Sequence, residues 1–218
     1  MQFSVFIFAP ILYSVFPMTE FQAVIYWNII SFFIGLMIIL LLMRPDMKIS
    51  SEKNATNLRG IVLWSVFGVF LAWFTQAIAV IIEEQVFGIS LGSENTALIM
   101  KVTRITPIFM LIPAIIAPIL EEIIFRKIIF TKLYHRTNFF IAALLSSVIF
   151  GIIHGEPEHL LIYGSMGFVF AYLYVRTRRI IVPIIVHMTL NSISVLVQYS
   201  LDPEDLEKLQ IKMIFFGG

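Results

Sequence analysis

Long apolar runs separated by short polar stretches set the pattern of this chain. The runs cover residues 2–17, 21–43, 60–82, 105–134, 138–154, 158–175 and 179–200. A membrane-spanning helix needs about 17–25 mostly apolar residues. The pattern therefore predicts an all-α, polytopic transmembrane helix bundle of about seven spans. The fourth run is longer than one span needs and holds Pro107, Pro113 and Pro118, so kinks or an early interfacial turn are expected inside it. The first run is short and holds Pro10. It lacks the preceding Lys or Arg and the small-residue cleavage site that mark a signal peptide, and reads as a retained span. Residues 201–218 open with an acidic turn and then mix Leu and Ile with Lys, which suits an interfacial tail. There is no internal repeat.

Composition supports the same class. The 218 residues are 59% hydrophobic and 13% charged, about half the charge that a soluble domain carries. The length suits one membrane domain over 1–218, with amino-terminal spans over 1–104 ahead of a core over 105–200. Absence of cysteine excludes disulfides, thiolate catalysis and cysteine-ligated zinc. Basic residues gather at Arg44–Arg59, Lys127–Arg136 and Arg176–Arg179, while the alternate loops are mainly acidic. By the positive-inside rule this predicts a cytoplasmic amino terminus. The basic residues form no stripe and no aromatic stacking platform, so no nucleic-acid partner is expected.

Against this background one cluster stands out. Glu121, Glu122 and Arg126 follow an uncharged stretch from Ile105 to Leu120. Ionisable groups at membrane depth are costly and are usually kept for function. Glu122 and Arg126 lie four apart, on nearly one helix face, and Glu121 sits about 100° round from Glu122. A Glu122–Arg126 pair is therefore expected to orient the helix and leave Glu121 facing the interior. The same three residues also suit an ion pair where a helix leaves the lipid.

Two further polar positions lie in apolar runs. Phe150 and His154 share a face at the end of the fifth run. His187 lies about 12 Å beyond Arg179 at 1.5 Å per residue, with Asn191 one turn later. Taken singly, His154 suits an interfacial residue, and His187 with Asn191 suits hydrogen bonding between helices. Together, a carboxylate base, two imidazoles and a carboxamide are what hydrolysis of a carbonyl by water requires. Two routes stay open: a divalent metal such as Zn held by Glu121, His154 and His187, or activation of water without a metal. Linear counting places His187 in the inner half of the membrane and His154 near its outer face, so a shared site needs short or tilted helices lining a polar cavity. Glu156, Glu158 and His159 read as solvated loop residues, Glu83-Glu84 as a polar helix end, and His135 as part of a basic loop.

Glu-Glu-x-x-x-Arg at 121–126, Phe-x-x-x-His at 150–154 and His-x-x-x-Asn at 187–191 resemble the three ordered motifs of the CPBP family, the intramembrane CAAX-protease and bacteriocin-processing (Abi) proteins that include type II CAAX prenyl endopeptidases. The resemblance covers residues 105–200. It implies a multi-pass protein of the bacterial cell membrane that hydrolyses a peptide bond, with Glu121, Glu122, Arg126, His154, His187 and Asn191 as the catalytic set. The implied substrate is a peptide or membrane-associated protein, in peptide maturation, bacteriocin immunity or signalling. The competing expectation is a non-proteolytic scaffold or immunity protein that retains the fold. A proton-relaying transporter ranks last, since no paired broken helices in two related halves are evident.

Overall fold

The computed structural model describes residues 4–48, 55–89 and 92–201, with side chains described throughout except at residues 45–48. The predicted interfacial tail lies outside the described residues beyond Leu201. The seven apolar runs appear as helices α1 (Val5–Val15), α2 (Glu20–Lys48), α3 (Leu58–Gln85), α5 (Pro107–Tyr134), α6 (Phe139–Ile153), α7 (Leu160–Thr177) and α8 (Ile181–Ser200). Five of them (α2, α3, α5, α7 and α8) are long and apolar enough to cross a membrane. At 11 residues α1 is about 17 Å long, and at 15 residues α6 is about 22 Å, both shorter than a bilayer core.

Hydropathy did not mark α4 (Glu94–Ile105), which lies in a segment expected to be a loop. Its signals are those of a capped polar helix. The Ser93 hydroxyl accepts from the Thr96 amide at 2.9 Å, Glu94 sits in the first turn and Arg104 in the last. Asn57 and Asn138 cap α3 and α6 in the same way.

The three prolines of the fourth run shape α5. Pro107 opens a tight first turn, and wide π turns occupy Ile112–Ile116 and Ile123–Phe130. Pro118 has no N–H, so the turn that holds the Pro113 and Ala114 carbonyls is one helical donor short. Asn191 Nδ2 donates to the first at 3.0 Å and Ser192 Oγ to the second at 3.4 Å, both from α8. In the second wide turn, Ser146 Oγ of α6 donates to the Phe125 carbonyl at 2.9 Å. Polar side chains of neighbouring helices thus satisfy the backbone that the irregular turns expose, as a membrane interior demands.

Packing centres on α7. Phe170 and Leu173 join Ala72 of α3 and Val182 and Val186 of α8 in one core. Ala171 joins Phe130 of α5 and Ala142 and Ala143 of α6 in another. Ile112, Ile116 and Leu120 of α5 pack on Ile29, Phe32 and Leu36 of α2. The outward faces stay apolar, with Val62, Phe74, Phe140 and Leu144 exposed, which fits lipid rather than water. Helix α6 approaches α7 closely at Gly167, where a Cβ would lie 2.7 Å from Ser147 Oγ and 3.2 Å from Ser147 Cα. Small residues permit such approaches between membrane helices. Overpacking there, as in Gly167→Val, is expected to lower unfolding stability by about 1–3 kcal/mol. Denaturant unfolding in detergent micelles checks this, and wild-type stability would show that the α6–α7 contact has room to spare.

Candidate active site

The motif residues meet around a cavity of about 650 Å³ lined from α2 to α8. Glu121, His154, His187 and Asn191 all line it. Glu122 and Arg126 do not; they are fully buried behind its wall. The shortness of α6 and the turn after it resolve the depth mismatch. Gly155, at φ +78°, turns the chain back immediately after His154. Phe150 then stands between the two imidazoles, its ring centre 4.4 Å from His154 and 6.1 Å from His187.

Glu122 has two partners. Its Oε2 lies 3.2 Å from Arg126 Nε, and its Oε1 accepts from His187 Nδ1 at 3.0 Å. Spacing along α5 anticipated the first contact; the second joins residues 65 positions apart. The Arg126 guanidinium rests among the rings of Phe150, Phe170 and Phe125 at 4.8, 5.3 and 5.9 Å. Their negative faces supply electrostatic stabilisation that water would otherwise give. Phe170 also stacks on the His187 imidazole at 4.8 Å and 23°.

These contacts define which ring nitrogen carries a proton. The Glu122 carboxylate, paired with Arg126, accepts from His187 Nδ1, and Nε2 turns towards Glu121 Oε2 at 3.7 Å. The Phe150 carbonyl also only accepts, so His154 donates from Nδ1 at 2.7 Å and leaves Nε2 to the cavity. Glu121 keeps about a quarter of its side chain exposed, at 27%. The site thus offers an accessible carboxylate and two oriented imidazoles on one cavity.

One expectation shifts. Asn191 was expected to present its carboxamide beside His187, but one N–H is committed to the Pro113 carbonyl. Among the described residues, no group of three His, Asp or Glu side chains is placed to hold a metal ion.

Sequence reading also missed a second polar layer. Glu156 and His159, expected in a solvated loop, are buried at 6% and 7% exposure; Glu158 is exposed. His159 Nδ1 bonds Glu83 Oε2 at 2.8 Å, and Glu83 Oε1 accepts from the Leu161 and Ile162 amides that open α7. Glu156 accepts from Tyr163 Oη at 2.6 Å, Ser93 Oγ at 2.9 Å and the Asn95 amide at 3.0 Å. Apart from Tyr163, their partners lie far away in sequence, so no local spacing signals them. Burial raises the Glu156 carboxyl, but the Tyr163, Asn95 and Ser93 hydrogen bonds and the His159 charge outweigh it and hold the group below the usual carboxylate range.

Fold and site together define a polytopic helical membrane protein with a buried carboxylate–histidine centre. Residues 103–193 match the family described as type II CAAX prenyl endopeptidase Rce1-like. A putative membrane peptidase, YdiL, of Bacillus subtilis (strain 168) is 46% identical over 88% of this chain and 80% of its own. The membrane-embedded CAAX protease MroQ of Staphylococcus aureus (strain USA300) is 35% identical over 86% of this chain and 78% of its own. No solved structure matches the chain. The chain belongs to the CPBP family of CAAX-type membrane proteases.

Replacing Arg126 by Met strands the Glu122 charge, and removing one partner of a buried pair typically costs about 3–5 kcal/mol. Unfolding of Arg126→Met in micelles should show a loss of that size, with partial recovery in Glu122→Gln/Arg126→Met; equal losses in both would mean that the pair is not coupled. The Glu156 shift sets a second expectation. Because its folded pKa is depressed, its contribution to stability is complete above the usual carboxylate range and fades as pH falls through the lower folded value. Acid unfolding should therefore lose part of its pH dependence in Glu156→Gln; an unchanged acid limb would contradict the assignment.

Proposed function

We propose that this protein is an intramembrane endopeptidase that uses water to cut a peptide bond of a peptide or membrane-associated protein segment held in the cavity. The observation that carries this reading is the convergence of Glu121, His154 and His187 on one cavity of about 650 Å³. Glu121 acts as general base, and His154 Nε2 accepts the water's second hydrogen to orient it. As oxygen adds to the carbonyl carbon, Glu121 takes a proton. The second Asn191 N–H, not given to Pro113, is available to the developing oxyanion. When the carbon–nitrogen bond breaks, Glu121 returns the proton to the leaving amine. His187, held by Glu122 and flanking Glu121, keeps that carboxylate in place. Glu122 and Arg126 act from behind the wall.

Among the described residues, no group of three donors is placed as a metal-ligand set, and no step here runs through a metal. Apolar lining residues such as Phe32, Val69, Trp73 and Ile112 suit a hydrophobic segment delivered from the bilayer. The names of the Bacillus and Staphylococcus relatives, a putative peptidase and a CAAX protease, support peptide-bond chemistry. Maturation of a peptide or peptide signalling in a bacterial cell membrane is the role that fits.

Reconstituted protein incubated with a degenerate library of internally quenched hydrophobic peptides provides the test. Glu121→Gln is expected to lower kcat by about 10²–10⁴-fold, the range for loss of a general base, with His154→Ala and His187→Ala also impaired and all three folded by thermal melting. Wild-type cleavage by folded Glu121→Gln would overturn the mechanism.

A further inference from the structure

His154 is held by one hydrogen bond, from Nδ1 to the Phe150 carbonyl, which leaves the plane of its ring to be set by packing. Two rings form a corner around it. Phe150 stands 4.4 Å away and tilted, and Tyr163 lies stacked at 4.3 Å and 23°. Tyr163 comes from α7, a helix that carries none of the motif residues. Its start packs closely on α6 at Gly151, where a Cβ would lie 2.5 Å from Leu160 Cδ1 and in ordinary contact, 3.5 Å, with Tyr163 Cβ. The phenol is in turn anchored: Tyr163 Oη donates to Glu156 at 2.6 Å, and both residues are about 6% exposed.

The same carboxylate reaches α4. Glu156 accepts from the Ser93 hydroxyl and the Asn95 amide, so it fixes the first turn of this helix. The cavity side of α4 supplies Asn95, Thr96, Ile99 and Met100 to the wall. Its far end is tied separately, by Arg104 donating to the carbonyls of Gln198 and Leu201 at 3.0 and 2.8 Å. Glu156 therefore stands between the wall of the cavity and the ring that backs His154.

We propose that Tyr163 is a positioning residue for His154, and that Glu156 makes this positioning depend on α4 being seated against the cavity. A precise site needs its reacting groups locked by a supporting layer, and the stacked phenol is that layer for His154. With α4 displaced, Glu156 loses two of its donors, and the Tyr163 ring loses its fixed anchor. The His154 Nε2 lone pair then no longer points at one spot. The proposal rests on the hydrolytic reading for its catalytic consequence, but the orientation of the ring is open to measurement without catalysis.

The experiment uses the full chain in micelles. Diethyl pyrocarbonate modification of each histidine is followed by peptide mass mapping, with exposed His135 as internal reference. Cleavage of a quenched peptide chosen from the library is measured in parallel. Tyr163→Leu is expected to lower kcat by about 100-fold, as a misplaced group does, with little change in KM, and to raise the modification rate of His154 relative to His135. Tyr163→Phe keeps the ring and loses the tie to Glu156, so it should fall between wild type and Tyr163→Leu in both readouts. Wild-type kcat and wild-type His154 reactivity in Tyr163→Leu would overturn the proposal. A loss of kcat with unchanged His154 reactivity would overturn it too, because the residue would then support the fold and not the ring. Should His154→Ala cleave normally, the hydrolytic role of His154 fails, and the modification rates still decide whether Tyr163 holds its ring.

Discussion

A carboxylate buried in an apolar bundle is tolerable only if its partners are built round it, and Glu122 is where this chain meets that constraint. Arg126 balances its charge from one turn away, and three phenylalanine rings enclose the guanidinium. The remaining carboxylate oxygen takes the His187 Nδ1 hydrogen. Two of the rings serve twice. Phe150 also flanks both histidines, and Phe170 also stacks on His187. Whatever settles the Glu122 charge thereby orients the imidazole on the cavity side. Glu121, next in the chain, is left outside this web and reaches the cavity.

Irregular backbone is the second part of the design. Helix α5 is interrupted by prolines and wide turns, and each exposed carbonyl needs a donor where water is scarce. Ser146, Asn191 and Ser192 provide them from α6 and α8. The helix that carries both glutamates is thus fastened to the helices that carry the histidines by side-chain donors on its backbone carbonyls. Wide helical turns are common at functional sites, and here they come with side chains from neighbouring helices already committed to them.

Local periodicity made much of this legible. Seven apolar runs mark seven helices, and the four-residue spacing of Glu122 and Arg126 marks their ion pair because both lie within one turn. Glu121 facing inward follows from the same helical phase. What could not be read are contacts between residues far apart in the chain. His187 to Glu122, His159 to Glu83 and Glu156 to Ser93 join positions 63 to 76 residues apart, and nothing local distinguishes such a residue from a solvated one. Asn191 shows the other limit. Its spacing from His187 placed it on the right helix face, but the direction of its amide depends on a carbonyl in the turn before Pro118 on another helix. Helix α4 was readable in principle from Ser93, Glu94 and Arg104, and hydropathy alone passed over it.

The central claim is that two oriented imidazoles face one cavity, each with Nδ1 tied back and Nε2 presented to it. The chain has four histidines, so selective 15N-histidine labelling leaves few signals to assign, and His→Gln variants identify each. The 15N shifts and one-bond couplings of His154 and His187 report the tautomer directly. Both Nδ1 atoms should carry hydrogen, with the His187 resonance displaced in Glu122→Gln. A bare Nδ1 at either histidine would contradict the account, because that ring would then turn the wrong nitrogen to the cavity.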